Sequence, residues 1–327
     1  MKQKLATGCM HCHEGSKMVL FVTGICPRSC WYCPLSAQRK GIDSVFANEK
    51  QIYSPEEAIL EAEKMEATGT GITGGEPLLF PERVLAYAGR LKEEFGEGHH
   101  IHLYTSCAPD EAELRNLTGC VDELRMHPPV ETWKRVGETR YRTSALRARE
   151  MGFEVGFEVP ALPEVADLLP ALEFLDFLNI NELEWGESNA QEMRRRELVP
   201  EDSVHNAVKG SRAWAAPIAR SDKVHLCSSE FKDSVQLRKR LIRIARNTAR
   251  PFDEITEDGT VVYGRMALSE MIPEWISALG YDMFEIRDGR VETAYWALIE
   301  HRDIIREEAE IIERYPDGGV IVEVTPL

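Results

Sequence analysis

Gly24-Ile25-Cys26-Pro27-Arg28-Ser29-Cys30-Trp31-Tyr32-Cys33-Pro34 is the stretch that decides the reading of this chain. Its three cysteines stand at C-x3-C-x2-C spacing directly after an apolar run, Met18-Val19-Leu20-Phe21-Val22. That run is short and rich in β-branched and aromatic residues, which predicts a buried strand. The cysteines therefore fall on the loop that leaves a strand. Gly24 lets the backbone turn, and Pro27 and Pro34 exclude a helix. Thiolates are the usual ligands of iron–sulfur clusters, and a four-iron cluster normally takes four of them. A loop that offers three leaves one iron for a group that is not protein. Taken alone, the spacing also suits a zinc knuckle one ligand short, or cysteines that only pack.

A second motif separates these readings. Thr73-Gly74-Gly75-Glu76-Pro77 follows another strand-like run, Thr70-Gly71-Ile72. Two glycines strip side chains from a strand end so that a ligand can approach the backbone. Glu76 adds a carboxylate suited to an ammonium group.

Over residues 18–230 this pairing of motifs resembles the radical S-adenosylmethionine (radical SAM) superfamily, and within it the glycyl-radical-enzyme (pyruvate formate-lyase) activating enzymes. The resemblance implies a [4Fe–4S] cluster on Cys26, Cys30 and Cys33, whose open iron chelates the amino and carboxylate groups of SAM. It implies reductive cleavage of SAM to methionine and a 5′-deoxyadenosyl radical, which abstracts hydrogen from a substrate. Gly74, Gly75 and Glu76 would place the methionine end, with Glu76 on the ammonium, and Tyr32 would lie near the adenine. An electron donor such as flavodoxin or ferredoxin and a protein or peptide substrate are the partners it implies.

The chain has 327 residues, 43% of them hydrophobic, which fits one large globular domain or a large and a small one. No apolar run is long enough for a membrane span, and no apolar signal segment follows the N-terminal lysines, so the expected location is cytoplasmic. A formal charge of −16 argues against wholesale nucleic-acid binding but leaves room for a local basic patch. The eight cysteines are read as metal or cluster ligands rather than disulfides.

Residues 1–17 form an arm with Cys9-Met10-His11-Cys12-His13. The pattern matches haem c attachment, but that goes with export, for which no signal is seen. It also makes half of a second metal site, completed by Cys227 and by His11, His13 or His225. Zinc and an auxiliary iron–sulfur cluster are equally compatible, and a flexible reduced arm is the plain alternative.

From residue 18 strands alternate with helices. Strands are predicted at 19–23, 71–74, 101–106, 121–126, 153–159 and 177–184, with one more at 224–228. Helices are predicted at 55–67, 81–95, 110–117, 143–151 and 165–174. Pro55 and Pro81 suit first helical turns. Alternation of this kind implies an α/β fold with a parallel sheet, and six units resemble the family's partial (β/α)6 barrel. Active sites of such barrels sit at the C-terminal strand ends. That rule nominates Thr105 and Ser106 for the ribose, and also Glu158, Arg125, Asn181, Glu182 and Glu184. His127 and Cys107 are the candidates for a catalytic group, Cys107 as a hydrogen-atom donor or cluster ligand.

Residues 231–327 read as a basic helix followed by a small α+β domain. Lys239, Arg243, Arg246 and Arg250 recur along one helix face, a stripe that could meet RNA or that simply faces solvent. Hairpin signals stand at Glu257-Asp258-Gly259 and Arg287-Asp288-Gly289-Arg290, and helices are expected at 268–279 and 296–315. Peptide, RNA and small-metabolite substrates compete. A colourless zinc-stabilised binding module is the rival outside enzymology, but zinc gives no reason for Gly74-Gly75-Glu76-Pro77.

Overall fold

In the computed structural model, residues 5–202, 206–268 and 271–327 are described. The chain divides into two compact units, Met1–Glu63 with Ala67–Gln236, and Lys64–Glu66 with Leu237–Leu327. No described helix is long and apolar enough to cross a membrane.

The first unit is built on a nine-stranded sheet. Its strands are β1 (Lys17–Phe21), β2 (Val45–Ala47), β3 (Lys50–Ile52), β4 (Gly69–Thr73), β5 (His100–Thr105), β6 (Glu123–Met126), β7 (Glu154–Pro160), β8 (Phe177–Asn181) and β9 (Val224–Cys227), in the order β3-β2-β1-β4-β5-β6-β7-β8-β9. β1 and β4–β9 run parallel. β2 and β3 add an antiparallel hairpin at the β1 edge, too short to show in the hydrophobic pattern. Helices Pro55–Lys64, Pro81–Phe95, Glu111–Leu117 and Arg140–Glu150 lie between the strands. The helix expected at 165–174 is a 3-10 segment, Val165–Glu173, because Pro170 inside it lacks the N–H that an α-helix needs.

Register decides what faces what. Lys17, Gly69 and His100 are aligned across neighbouring strands, as are Gly71, His102, Glu123 and Glu154. Next come Tyr104, Arg125, Gly156 and Phe177, then Glu158, Asn179 and His225, and finally Asn181 and Cys227. Aligned residues share a face, and alternate residues along a strand return to it. One face of the sheet is therefore largely polar across seven strands. The other carries Leu20, Ile72, Leu103, Leu124, Phe157 and Ile180, all buried, and forms the apolar core.

Helix α1 (Thr7–Glu14) packs on the polar face. Its free N-terminal N–H groups find carboxylates there: Thr7 N and Oγ1 donate to Glu154 at 3.3 and 2.8 Å, and Gly8 N donates to Glu123 at 2.8 Å. A Cβ on Gly8 would stand 2.5 Å from His102 Nδ1, so the helix seats this closely only with glycine. Gly15, at φ 69°, ends it. The N-terminal arm is thus a docked helix.

Burial in this region depresses the histidines. His99 and His100 fall to about 4, and His102, fully buried, falls well below its ordinary value. Such groups contribute stability above the unfolded pKa near 6.5 and lose it as pH drops toward the folded value. The thermal midpoint is expected to hold from pH 8 to 7 and to fall steadily from about pH 6.5 to 4.5, with on the order of 2–3 kcal/mol lost through each of His99 and His100. A midpoint unchanged between pH 7 and 5 contradicts this.

The second unit holds a six-stranded antiparallel sheet of β10 (Glu254–Ile255), β11 (Val261–Ala267), β12 (Phe284–Arg287), β13 (Arg290–Thr293), β14 (Ala309–Arg314) and β15 (Ile321–Pro326), ordered β12-β13-β11-β14-β15 with β10 on β11. Both expected hairpins form; Asp288 and Gly289, at φ 51° and 71°, make the tight turn of the second. The helix expected at 296–315 is a correction: only Tyr295–Glu300 is helical. Ala309–Arg314 is a strand paired on both sides, so ladder formation overrides the helix preference of its Glu and Ala residues. Of the helix expected at 268–279, Glu274–Ser277 forms, behind Pro273; residues 269–270 lie outside the described ones. Helix Arg238–Thr248 carries the basic stripe. Arg250 just beyond it is held by Asp253 and Glu292, and Arg243 donates to the carbonyls of Met65 and Glu66 at 2.7 Å each. Lys239 and Arg246 are exposed.

Candidate active site

The loop after β1 and the loop after β4 are laced together. Gly75 N donates to Thr23 O at 2.7 Å and Glu76 N to Ile25 O at 2.9 Å. Cβ atoms on Gly74 and Gly75 would stand 2.5 and 2.4 Å from those same carbonyl oxygens. The two glycines are therefore required by the approach of one loop to the other, as well as leaving the backbone bare toward a ligand. Arg28, between the first two cysteines, reaches the end of β5: its Nη2 donates to Ser106 O at 2.5 Å and to Tyr141 Oη at 2.6 Å.

Glu76 is fully buried and its carboxylate is fully engaged. Oε1 accepts from Thr105 Oγ1 at 2.7 Å and Leu78 N at 3.0 Å; Oε2 accepts from Ser106 N at 2.6 Å and Ser106 Oγ at 2.5 Å. The sequence pointed this carboxylate at an ammonium and the two hydroxyls at a ribose. Here the three side chains bind one another and clamp the loop after β4 to the end of β5.

Tyr32 is buried, and its hydroxyl lies 2.9 Å from His127 Nε2. His127 Nδ1 lies 2.7 Å from Glu158 O. A carbonyl only accepts, so Nδ1 carries the proton, Nε2 accepts, and Tyr32 donates. Burial holds His127 below its ordinary pKa, which keeps it neutral for this role. Both of its nitrogens are used, which leaves it no proton to exchange with a substrate in this arrangement.

Glu158 accepts from Arg125 Nη1 at 2.8 Å, Asn179 Nδ2 at 2.9 Å and Asn181 Nδ2 at 2.7 Å. Burial opposes its charge, but Arg125 and the two amides outweigh it and hold the carboxyl below its ordinary value. Glu184 pairs with Lys232 at 2.8 Å, and Glu182 with Arg212 at 2.7 Å.

A single cavity of about 500 Å³ gathers most of these groups. Cys26, Cys30 and Cys33 line it, with Gly74, Gly75, Tyr32, Ser106, His127, Glu158, Asn181 and Lys232. Burial raises the thiols of Cys26 and Cys30 above their ordinary values. Cys107 is half-buried, is likewise raised by burial, and is not among the cavity-lining residues; Cys9, Cys12 and Cys227 are not either. Sequence reasoning missed Arg28 and the clasp at 186–189. There Asn189 Nδ2 donates to Tyr32 O at 3.1 Å and Ser188 Oγ to Cys33 O at 3.0 Å. Arg28 sits at a spacer position of the cysteine motif, where only the ligands were weighed; Ser188 and Asn189 lie in no motif, and Asn189 is 157 residues from its partner, so only the fold brings them together.

Residues 20–167 match the radical SAM superfamily model, and 259–327 match a domain of unknown function. A Methanocaldococcus jannaschii protein, named provisionally as a glycyl-radical enzyme activating enzyme, is 40% identical over 279 residues, covering 80% of this chain and 74% of that one. The chain belongs to the radical SAM superfamily. It is a radical SAM enzyme related to the activating enzymes, from a family that uses SAM and an iron–sulfur cluster, and its fold is α/β. Among solved structures it is similar to Streptococcus suis SuiB bound to SAM, with a TM-score of 0.40 and 11% identity over 65% of this chain and 50% of that one. SuiB bound to its precursor peptide SuiA gives 0.40 and 10%, with 65% and 48% covered. The chain thus spans about half the length of those SuiB chains.

Proposed function

We propose that this radical SAM enzyme cleaves SAM reductively in the 500 Å³ cavity, with Cys26, Cys30 and Cys33 holding a [4Fe–4S] cluster there. The observation that carries the reading is the cavity's lining: three thiols, two bare glycines and a row of polar strand ends around one space. The three donor atoms do not gather within 4.8 Å of one another, as the donors of a single ion do. What favours a cluster over the zinc knuckle is the bare Gly74-Gly75 backbone set beside the cysteine loop, for which zinc gives no reason.

When bound, the cluster supplies the electron that breaks a carbon–sulfur bond of the sulfonium, giving methionine and a 5′-deoxyadenosyl radical that takes hydrogen from the substrate. The chain's own residues do the positioning. Gly74 and Gly75 offer bare backbone to the methionyl end. Tyr32, fixed by His127, gives a rigid wall for the adenine. Glu158, ionised and flanked by Asn181, accepts from ribose hydroxyls. Glu76, Thr105 and Ser106 hold that wall in place from behind. We read the sheet as the family's partial barrel, with the site at the C-terminal strand ends. A flavodoxin or ferredoxin is the electron donor that this chemistry calls for.

A cavity of about 500 Å³ suits one drug-sized ligand. SAM itself is of that order, so a whole metabolite has little room beside it. A substrate that presents one C–H bond through the mouth, as a protein or peptide segment does, fits better. The 40% identity to a provisionally named activating enzyme points the same way. The test is 5′-deoxyadenosine release from anaerobically reconstituted, reduced protein given SAM. Release above a protein-free control is expected, and peptides are then screened for those that speed it. A reconstituted protein that binds SAM at its cluster, yet yields no 5′-deoxyadenosine with any peptide or metabolite, sinks the reading.

A further inference from the structure

The polar face of the sheet carries a second set of thiols that the cavity does not use. Cys9 and Cys12 lie one turn apart on α1, and Cys227 ends β9. His225 and Cys227 are in register with Asn179 and Asn181 of β8, so these four share a face. Asn179 Nδ2 lies 3.1 Å from Cys9 Sγ. The His13 ring of α1 packs 4.2 Å from Phe231 and 5.8 Å from His225. α1 thus sets Cys9 against β8 and its last turn against β9, where Cys227 stands.

Charge is the second observation. Each thiol has a cation of its own nearby, two of them buried. Arg125 Nη2 is 3.5 Å from Cys9 Sγ, Lys17 hydrogen-bonds to Cys12, and Lys232 stands beside Cys227. Arg125 is balanced by Glu123 and Glu158, and Lys232 by Glu184. Lys17 is only 8% exposed and makes no carboxylate ion pair among the described residues; it hydrogen-bonds to Cys12, with the Tyr104 phenol, the Arg125 guanidinium and, farther off, the Glu158 carboxylate around it. A buried ammonium needs an anion beside it. A metal-bound Cys12 thiolate would set such an anion directly against Lys17.

We propose that Cys9, Cys12 and Cys227, with His225 as fourth donor, hold a second iron–sulfur cluster on the polar face of the sheet. The thiols are not gathered as the donors of a single zinc ion are. Tetrahedral donors at 2.3 Å from zinc stand about 3.8 Å apart. Among the described residues only His100, Glu123 and Glu154 bring three donor atoms within 4.8 Å. Those carboxylates already receive the N-terminus of α1. Cys9, Cys12 and Cys227 do not form such a group. The N–H groups of Asn179 and Arg125 on Cys9 are the kind of donors that surround cluster sulfur, and the three cations offset the negative charge of a thiolate-ligated cluster. His225 stands two residues before Cys227 on the same face of β9. His11 is turned elsewhere, with Nδ1 2.8 Å from the Thr68 hydroxyl.

None of these ligands lines the SAM cavity, so the proposal stands or falls separately from SAM cleavage. The full-length chain carrying Cys26→Ala, Cys30→Ala and Cys33→Ala is reconstituted anaerobically with iron and sulfide and compared with the unaltered chain. About four iron and four sulfide per chain are expected to remain, with a low-spin electron paramagnetic resonance signal on reduction that SAM does not perturb. Adding Cys12→Ser and Cys227→Ser removes that iron. Conversely, Cys12→Ser with Cys227→Ser in the unaltered background loses half the iron and keeps the signal that SAM perturbs. A folded triple-alanine variant that retains no iron and sulfide overturns the proposal, as does one whose purified site holds zinc that iron does not replace.

Discussion

Cys30→Ala is expected to abolish both the brown colour of the proposed SAM cluster and the release of 5′-deoxyadenosine, by more than about 10³-fold, because on the proposed ligation it removes a ligand of the group that delivers the electron rather than part of a binding energy. The loop offers three thiols to the cavity and no substitute. Cys107, the other cysteine near the end of β5, does not line that space. With two donors a cluster would be held too loosely to persist. The fold itself should survive. Cys30 is partly exposed, and its removal costs about 1 kcal/mol or less of stability. The measurement is iron content, absorbance near 400 nm and 5′-deoxyadenosine yield in parallel, with Cys107→Ala as the control that keeps all three. A Cys30→Ala variant that still cleaves SAM would remove this cysteine from the ligand set.

How much of this was legible follows from what kind of signal each residue leaves. Local chemistry is written in local sequence. The three thiols and the two glycines are a few residues apart, and the strands that carry them are short apolar runs, so the cavity's near wall could be named in advance. The alternation of strand and helix gave the α/β class for the same reason. What could not be read is which polar residues answer one another across the sheet. Asn179, Arg125, Glu158 and Cys9 come from three strands and a helix, and their meeting depends on register. Strands such as His100–Thr105 and Phe177–Asn181 alternate polar with apolar, which in sequence reads as one face toward water. Here that face is buried under α1 and around the cavity. The second unit misled for a different reason. Ala309–Arg314 has no clean period, and its strand identity comes from having a neighbour on each side.

Glu76→Gln tests the sharpest difference between the sequence's expectation and the geometry. If the carboxylate served to bind the ammonium of SAM, the free protein would barely notice the change, and only SAM affinity would fall. In the structure each oxygen already takes two donors, all from the protein. Glutamine keeps one acceptor oxygen for Thr105 and Leu78. Its amide nitrogen then faces the N–H and O–H of Ser106, and the hydroxyl can turn but the backbone N–H cannot. A buried donor left unsatisfied costs about 1–3 kcal/mol, and loss of bonds to a charged acceptor adds a comparable amount. The expected result is a ligand-free protein destabilised by about 2–4 kcal/mol, with SAM affinity reduced as a consequence because the loop after β4 is no longer tied to β5. Glu76→Asp, one methylene short, should fail similarly, because a carboxylate that cannot span from Leu78 to Ser106 restores charge but not the clamp. Denaturant unfolding of the SAM-free variants checks this directly. A Glu76→Gln protein as stable as the parent, but unable to bind SAM, would return the carboxylate to the ammonium and make the observed clamp a feature of the SAM-free chain alone.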